Sequence, residues 1–178
     1  RYVIVQNFRH ITEFIPFGDQ WATYGITDAI VTTQKQCDLL KSVFKYVNTY
    51  LIPPYIPEYF RKPLTAKKLI VNVVSKTQED AEHIVKMFYW KYRLFNFVPF
   101  RFLSDLPREK YAELLKESAI TVWVDQDSSF GNNAIESIRC GNIIIGKMPD
   151  IIPDWMVDEK GNLLPNGLWV DDINAIPD

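Results

Sequence analysis

Between Val122 and Ile145 the chain runs VWVDQDSSFGNNAIESIRCGNIII, and this stretch holds the residues best suited to chemistry. An apolar run ends at Val124, a polar loop covers Asp125 to Ser129, and Phe130-Gly131 leads into a helix that carries Glu136. The first amides of a helix lack an intrahelical acceptor and sit at the positive end of its dipole. Those at Gly131, Asn132 and Asn133 are therefore suited to an anion. Glu136 falls near the first turns of the same helix, where a carboxylate suits the hydroxyls of a ribose. An ordinary strand–loop–helix with a solvated glutamate has the same spacing, so the residues by themselves leave both readings open.

The elements that would position these groups alternate along the chain. Tyr2 to Gln6, Ala29 to Thr32, Thr49 to Ile52, Leu69 to Val74, Phe95 to Phe100, Ile120 to Val124 and Ile143 to Ile145 are short apolar runs that read as strands. Asp19 to Gly25 reads as a short helix stopped by Gly25. Thr33 is placed to cap a helix carrying Cys37, Leu40, Val43 and Phe44 at helical spacing. Thr77 and Asp80 resemble a capping box, ahead of a stripe formed by Ala81, Ile84, Val85 and Phe88. Pro107 suits the first turn of a helix with Tyr111, Leu114 and Leu115 inward, and Gly141 suits the C-cap of a helix over 132–140. Strands separated by single helices predict parallel βαβ units: an α/β fold with a Rossmann-like parallel sheet and helices on both faces. In such sheets ligands sit outside the carboxyl ends of the strands. Pro53, Pro54, Pro57 and Pro63 stiffen the middle of the chain. This divides it into an N-terminal piece over 1–52, a connector over 53–66 and a second domain over 67–178.

Composition narrows the function classes. With 178 residues, 47% of them hydrophobic, the chain can bury a real core, which excludes a disordered polypeptide. Two cysteines, Cys37 and Cys140, are too few for a disulfide framework, so a reducing compartment, the cytoplasm, is expected. No apolar run reaches the roughly 18 residues of a membrane span. The formal net charge is -2, yet the first 149 residues carry a net +4 because seven of the acids lie from Asp150 onward. A mild excess of that size suits a small anionic ligand and argues against nucleic acid, which needs a clustered basic face.

FGNNAIESIRCGNIII resembles the signature of the large retaining GT-B glycosyltransferase family that includes glycogen and sucrose synthases, roughly E-G-F-G-x-x-x-x-E-A-x-x-x-G-x-P-V-I. Phe130, Gly131, Glu136, Ser137, Gly141 and the strand Ile143 to Ile145 fall in register with it. More loosely, Asp28 to Thr33 is similar to the segment closing that family's N-terminal domain. Leu51 to Ile56 (LIPPYI) resembles its hinge, and Glu109 to Val124 resembles a helix and strand of its C-terminal domain. The resemblance covers residues 28–153. It implies a C-terminal donor-binding domain preceded by the tail of an N-terminal domain, and a hexosyltransferase-like activity that moves a sugar from a nucleotide-sugar with retention.

The resemblance also implies roles. Glu136 takes the place of the glutamate that binds the ribose. Ser128 stands where the family has its first glutamate, with Asp127 adjacent, and Ser129 replaces the first glycine; together with Phe130 they would contact the sugar. Lys76 lies near the family's diphosphate arginine, whereas Ala81 occupies the position of its second cation. The donor-site residues expected are thus Glu136, Gly131, Asn132, Asn133, Ser128, Ser129, Phe130 and Lys76, with no catalytic residue named, no metal and no cofactor besides the donor. The expected partners are the nucleotide-sugar and a carbohydrate or lipid-linked acceptor. Neither nucleic acid nor a transmembrane segment is expected, and peripheral membrane contact is compatible with the composition. The chain reads as a fragment, with the acceptor side upstream and little activity by itself.

Two other classes compete: a non-catalytic α/β binding module, which the change at Ser128 would fit, and a GT-B nucleotide-sugar epimerase. The epimerase needs acid/base groups near the sugar, and His10 is the one histidine placed to help. His83 reads as solvent-facing, Trp123 as core, and Trp155 and Trp169 as docking points of the acidic tail. Lys147 sits at the end of the last strand, where it meets a phosphate or water. Asp125 and Asp127 could hold a divalent ion with a diphosphate, but the GT-B resemblance argues against one.

Overall fold

The computed structural model describes residues 1–7, 15–125, 128 and 130–178, and these divide into two units. The first comprises Arg1–Tyr55, Asp127–Gly131 and Pro149–Leu164; the second comprises Ile56–Gln126, Asn132–Met148 and Pro165–Asp178.

In the first unit three strands form a parallel sheet in the order β1-β2-β3: β1 (Tyr2–Ile4), β2 (Asp28–Val31) and β3 (Asn48–Leu51). Helix α1 (Gln34–Val43) joins β2 to β3. Thr33 caps it as the sequence predicts: its hydroxyl accepts from Gln36 N at 3.2 Å while the Gln36 side chain returns a bond to Thr33 N, a complete capping box. Asp154 adds a carboxylate at the same helix start, accepting from Gln34 N at 2.6 Å. The core is Val5, Ala29, Val31, Cys37 and Leu40, closed by Trp21 stacked on Phe44 with centroids 4.5 Å apart. Asp19 to Gly25 contains a single 3-10 turn, Trp21–Tyr24, ended by Gly25 in the left-handed region. Val43, expected inward, is 46% exposed, while its neighbour Phe44 points into the core.

The second unit holds a five-stranded, all-parallel sheet in the order β5-β4-β6-β7-β8. Its strands are β4 (Lys68–Ser75), β5 (Phe100–Phe102), β6 (Ser118–Val124), β7 (Ile143–Lys147) and β8 (Leu168–Val170). Helices α2 (Gln78–Lys91), α3 (Arg108–Glu117) and α4 (Asn132–Arg139) join the first four in turn. The chain runs outward from β4 to β5, then crosses back to β6, so the switch point of the topology lies between β4 and β6. Strand periodicity sorts the two faces. Val71, Val73, Val122 and Val124 pack with Ala81 and Ile84 of α2. Asn72 and Thr121, one residue out of phase, are fully buried. Asn72 reaches the carbonyl of Leu114 on α3 at 3.4 Å.

A polar knot ties this second face together. Lys67 Nζ donates to the carbonyls of Leu115 at 3.0 Å, Lys116 at 3.4 Å and Ser118 at 2.7 Å, and to Asn142 Oδ1. Asn142 Nδ2 in turn donates to Thr121 Oγ1 at 2.8 Å and Ser118 Oγ at 3.2 Å. The end of α3 and the turn after α4 are thereby fastened to one another.

Three sequence expectations shift. Phe95 to Phe100 is not one strand: Arg93–Phe95 is a 3-10 turn and pairing begins at Phe100, opposite Val71. Phe-rich runs carry no decisive period, and Pro99 has no N–H to give a ladder. Pro107 precedes α3 rather than starting it, with an extended ψ of 141°. Strand β8, in the acidic tail, is not among the strands expected from the sequence, and it carries Trp169 edge-on to the buried Trp123 with centroids 6.0 Å apart. Gly146 makes room for that contact. A Cβ there would meet the Trp123 carbonyl oxygen at 2.6 Å and the Trp169 ring at 3.0 Å. Gly146→Ala is therefore expected to cost about 1–3 kcal/mol through overpacking, read as a lower urea midpoint at unchanged slope. An unchanged midpoint would mean that the two strands can part at little cost.

Candidate functional site

A polar cavity of about 330 Å³ opens in the second unit, lined by Ser75 at the end of β4 and Lys76 after it, Leu103 to Leu106 after β5, Arg108 and Tyr111 of α3, and Asn133 of α4. These segments follow the carboxyl ends of strands or begin helices, so the cavity occupies the crevice where open parallel sheets take their ligands. Asp105 in its wall has φ +51°, the single non-glycine residue at positive φ among the described residues. Such a conformation at a cavity marks backbone whose place the surroundings over-determine. A second cavity, of about 340 Å³, is lined by Val71, Ile84, Phe88, Phe100 and similar side chains and is apolar, the wrong chemistry for a nucleotide.

Of the residues expected at the donor site, Lys76 and Asn133 meet in the polar cavity. Asn132 is exposed at the start of α4 and outside the lining. Gly131 has φ +74°, which a glycine adopts without cost, and its N–H donates to Ser128 Oγ at 2.9 Å rather than standing open. The Phe130 carbonyl accepts from Trp155 Nε1. Ser128, Phe130 and Gly131 belong to the first unit, as does Trp155. Ser129, Asp127 and His10 lie outside the described residues. Ala81, at the place of the family's second cation, faces the core at 4% exposure. Lys147 ends β7 and is not in the lining. His83 is exposed, as expected, and pairs with Asn174 at 2.8 Å.

Glu136 is the departure. Its side chain is 0% exposed, whereas that of Arg108 is 50% exposed. The Arg108 guanidinium grips both carboxylate oxygens, one through Nη2 and the other through Nη1 at 3.3 Å. Arg108 also lies over the Phe60 ring, 5.1 Å from its centroid. Burial pushes the Glu136 carboxyl above its ordinary range, and Arg108 pulls it back. The buried Tyr111 is pushed well up, chiefly by burial and then by the Glu136 charge. Arg108 is not among the residues expected at the donor site from the sequence. A cation in the first turn of a helix opposes the helix dipole, and that was the available signal that it answers to an anion elsewhere. Among the described residues no group of three or more His, Cys, Asp or Glu could hold a metal ion, and no helix is long and apolar enough to cross a membrane.

The fold, with its parallel sheet and a ligand crevice at the strand ends, is that of the GT-B glycosyltransferases. Crystal structures of TarM match it over 99% of this chain. One match has a TM-score of 0.68 at 16% identity, and another, an S. aureus TarM mutant in complex with fondaparinux, alpha-GlcNAc-glycerol and UDP, has 0.66 at 13%. The GtfA/B complex matches over 88% with a TM-score of 0.56 at 14% identity. By sequence, the chain is 30% identical over 114 residues, 62% of its length, to an alpha-1,6-glucosyltransferase of Actinobacillus pleuropneumoniae serotype 7 (strain AP76). These likenesses show that the chain shares the α/β fold of the GT-B glycosyltransferases and is similar in sequence to a glucosyltransferase. No family model matches it. The chain spans 34% of the length of the glucosyltransferase and 42% and 41% of the two TarM chains.

Proposed function

We propose that the second unit binds the nucleotide diphosphate of a nucleotide-sugar, and that the whole protein transfers the sugar to a carbohydrate acceptor with retention at the anomeric carbon. The observation that carries the reading is the polar cavity beyond the ends of β4 and β5, where Lys76 and Arg108 supply cations and Ser75, Ser104 and Asn133 supply neutral polar groups. A leaving diphosphate gains negative charge as the glycosidic bond breaks, and fixed cations favour that state over the bound ground state. Glu136 is the carboxylate for the ribose on the family pattern. The UDP held by the TarM mutant makes UDP the first nucleotide to test, and the glucosyltransferase relative makes glucose the first sugar.

Thermal unfolding in the presence of UDP, GDP, ADP and their glucose conjugates tests this reading. A ligand that binds only the folded chain at about 100 times its dissociation constant adds roughly 2.7 kcal/mol, a readily measured rise in Tm. One nucleotide is expected to give that rise in the wild type and not in Lys76→Ala. If no nucleotide shifts the transition, and none does in a longer protein that includes the upstream region, the binding-module reading takes its place. Retention is read from the anomeric configuration of the product by NMR.

A further inference from the structure

We infer that Arg108, not Glu136, meets the nucleotide, and that Glu136 is a positioning residue that acts through the Arg108 guanidinium. The inference rests on the donor-site reading above and reassigns two residues within it. Three observations carry it. Arg108 lines the polar cavity with Lys76, while Glu136 does not. Glu136 has no exposed surface, so a hydroxyl in the cavity meets Arg108 first. The guanidinium has five N–H donors: the carboxylate takes one from each terminal nitrogen, the Tyr59 side chain is a further hydrogen-bond partner, and the group lies over the Phe60 ring. A guanidinium fixed on one edge by a buried carboxylate presents its remaining donors in one direction, which suits the oxygens of a phosphate. Arg108 then supplies the second cation that position 81 lacks, from a different element of the fold. Asp105, also in the lining, adds a carboxylate that can accept from a sugar hydroxyl and keeps the cavity from being uniformly cationic.

The two assignments predict opposite behaviour toward ligands that carry only one half of the nucleotide. Affinities for UDP, inorganic pyrophosphate and uridine would be measured by NMR titration with the 178-residue protein, in the wild type and in Arg108→Gln, Arg108→Lys and Glu136→Gln. Each variant is first checked by circular dichroism, below its own unfolding temperature. A charge-assisted hydrogen bond lost from a phosphate weakens binding about tenfold or more. Arg108→Gln is thus expected to weaken UDP and pyrophosphate by that factor and to leave uridine within about twofold. Arg108→Lys, which keeps a charge without the fork, is expected to fall between. Glu136→Gln is expected to weaken UDP and pyrophosphate and to spare uridine. A loss of uridine binding in Glu136→Gln equal to its loss of UDP would overturn the inference, because Glu136 would then hold the ribose itself. Wild-type binding of pyrophosphate without UDP would sink the nucleotide reading, yet leave Arg108 as an anion contact if Arg108→Gln abolished it. Binding of neither would sink both.

Discussion

Arg108→Ala is expected to destabilise the second unit by about 2–3 kcal/mol at neutral pH. Removing one partner of a buried ion pair costs roughly 3–5 kcal/mol, and the lower figure applies because half of the Arg108 side chain is in water. The cost arises on the other side of the pair, where the Glu136 carboxylate is left fully enclosed. Its pH dependence follows from that origin. The folded carboxyl already binds its proton more tightly than the unfolded one, whose ordinary value is 4.5, because burial disfavours the charged form. Between the unfolded value and the folded value, stability falls as pH rises. Without Arg108 the folded value moves further up, so the falling window extends further toward neutral pH. The gap between wild type and variant should therefore be small at acid pH, where the carboxyl is protonated in both, and full once the pH exceeds the variant's folded value. Urea unfolding below the ordinary carboxyl value of 4.5, at pH 4, and at pH 8 measures it, and adding Glu136→Gln should recover most of the loss. A gap of equal size at the two pH values would show that the lost stability comes from the Arg108 guanidinium over Phe60 instead.

The second large effect is expected at Lys67. Its ammonium serves three backbone carbonyls, those of Leu115, Lys116 and Ser118, together with the side chain of Asn142. Burial pulls its proton affinity down, which is the electrical cost of using a charge as a structural donor. Lys67→Met keeps most of the apolar stem and deletes the donors, leaving several acceptors unmatched at the end of α3. A loss of about 2–3 kcal/mol is expected, because stranded buried acceptors cost more than the hydrogen bonds contribute when made. The check is a urea midpoint shift with unchanged slope. A change below about 0.5 kcal/mol would mean that water enters and replaces the ammonium. Lys67 matters to the site as well as to stability. It fastens the C-terminal end of the helix whose first residue is Arg108, so loosening the knot frees the cavity wall to shift. Nucleotide affinity in Lys67→Met is therefore expected to fall even though Lys67 is not in the lining.

Much of the fold is legible in the residues because its signals are local. Four-to-seven-residue apolar runs, amphipathic stretches at 3.6-residue spacing and caps such as Thr33 and Thr77 are each set by a few neighbouring side chains. Among the described residues they place six of the eight strands and all four α-helices within a few residues. Tertiary contacts decide the exceptions. Leu168 to Val170 becomes a strand because the edge of β7 is there to pair with it, and its three residues carry too little pattern to announce themselves. The Phe-rich run divides where pairing with β4 begins.

The site divides the same way. Residue type, order along the chain and family resemblance identify Lys76, Asn133 and Glu136 as groups of interest, and Lys76 and Asn133 do meet in one cavity. That Glu136 is enclosed, and that Arg108 rather than Glu136 lines the cavity, depends on the fold bringing the start of α3 against Glu136 of α4. Arg108 and Glu136 are 28 residues apart in sequence, and no local pattern links them. Sequence by itself determined which chemical groups this protein has and which elements carry them. Only the tertiary structure decided which charge faces the ligand and which is spent on holding it there, because burial and charge pairing are set by distance in space rather than along the chain.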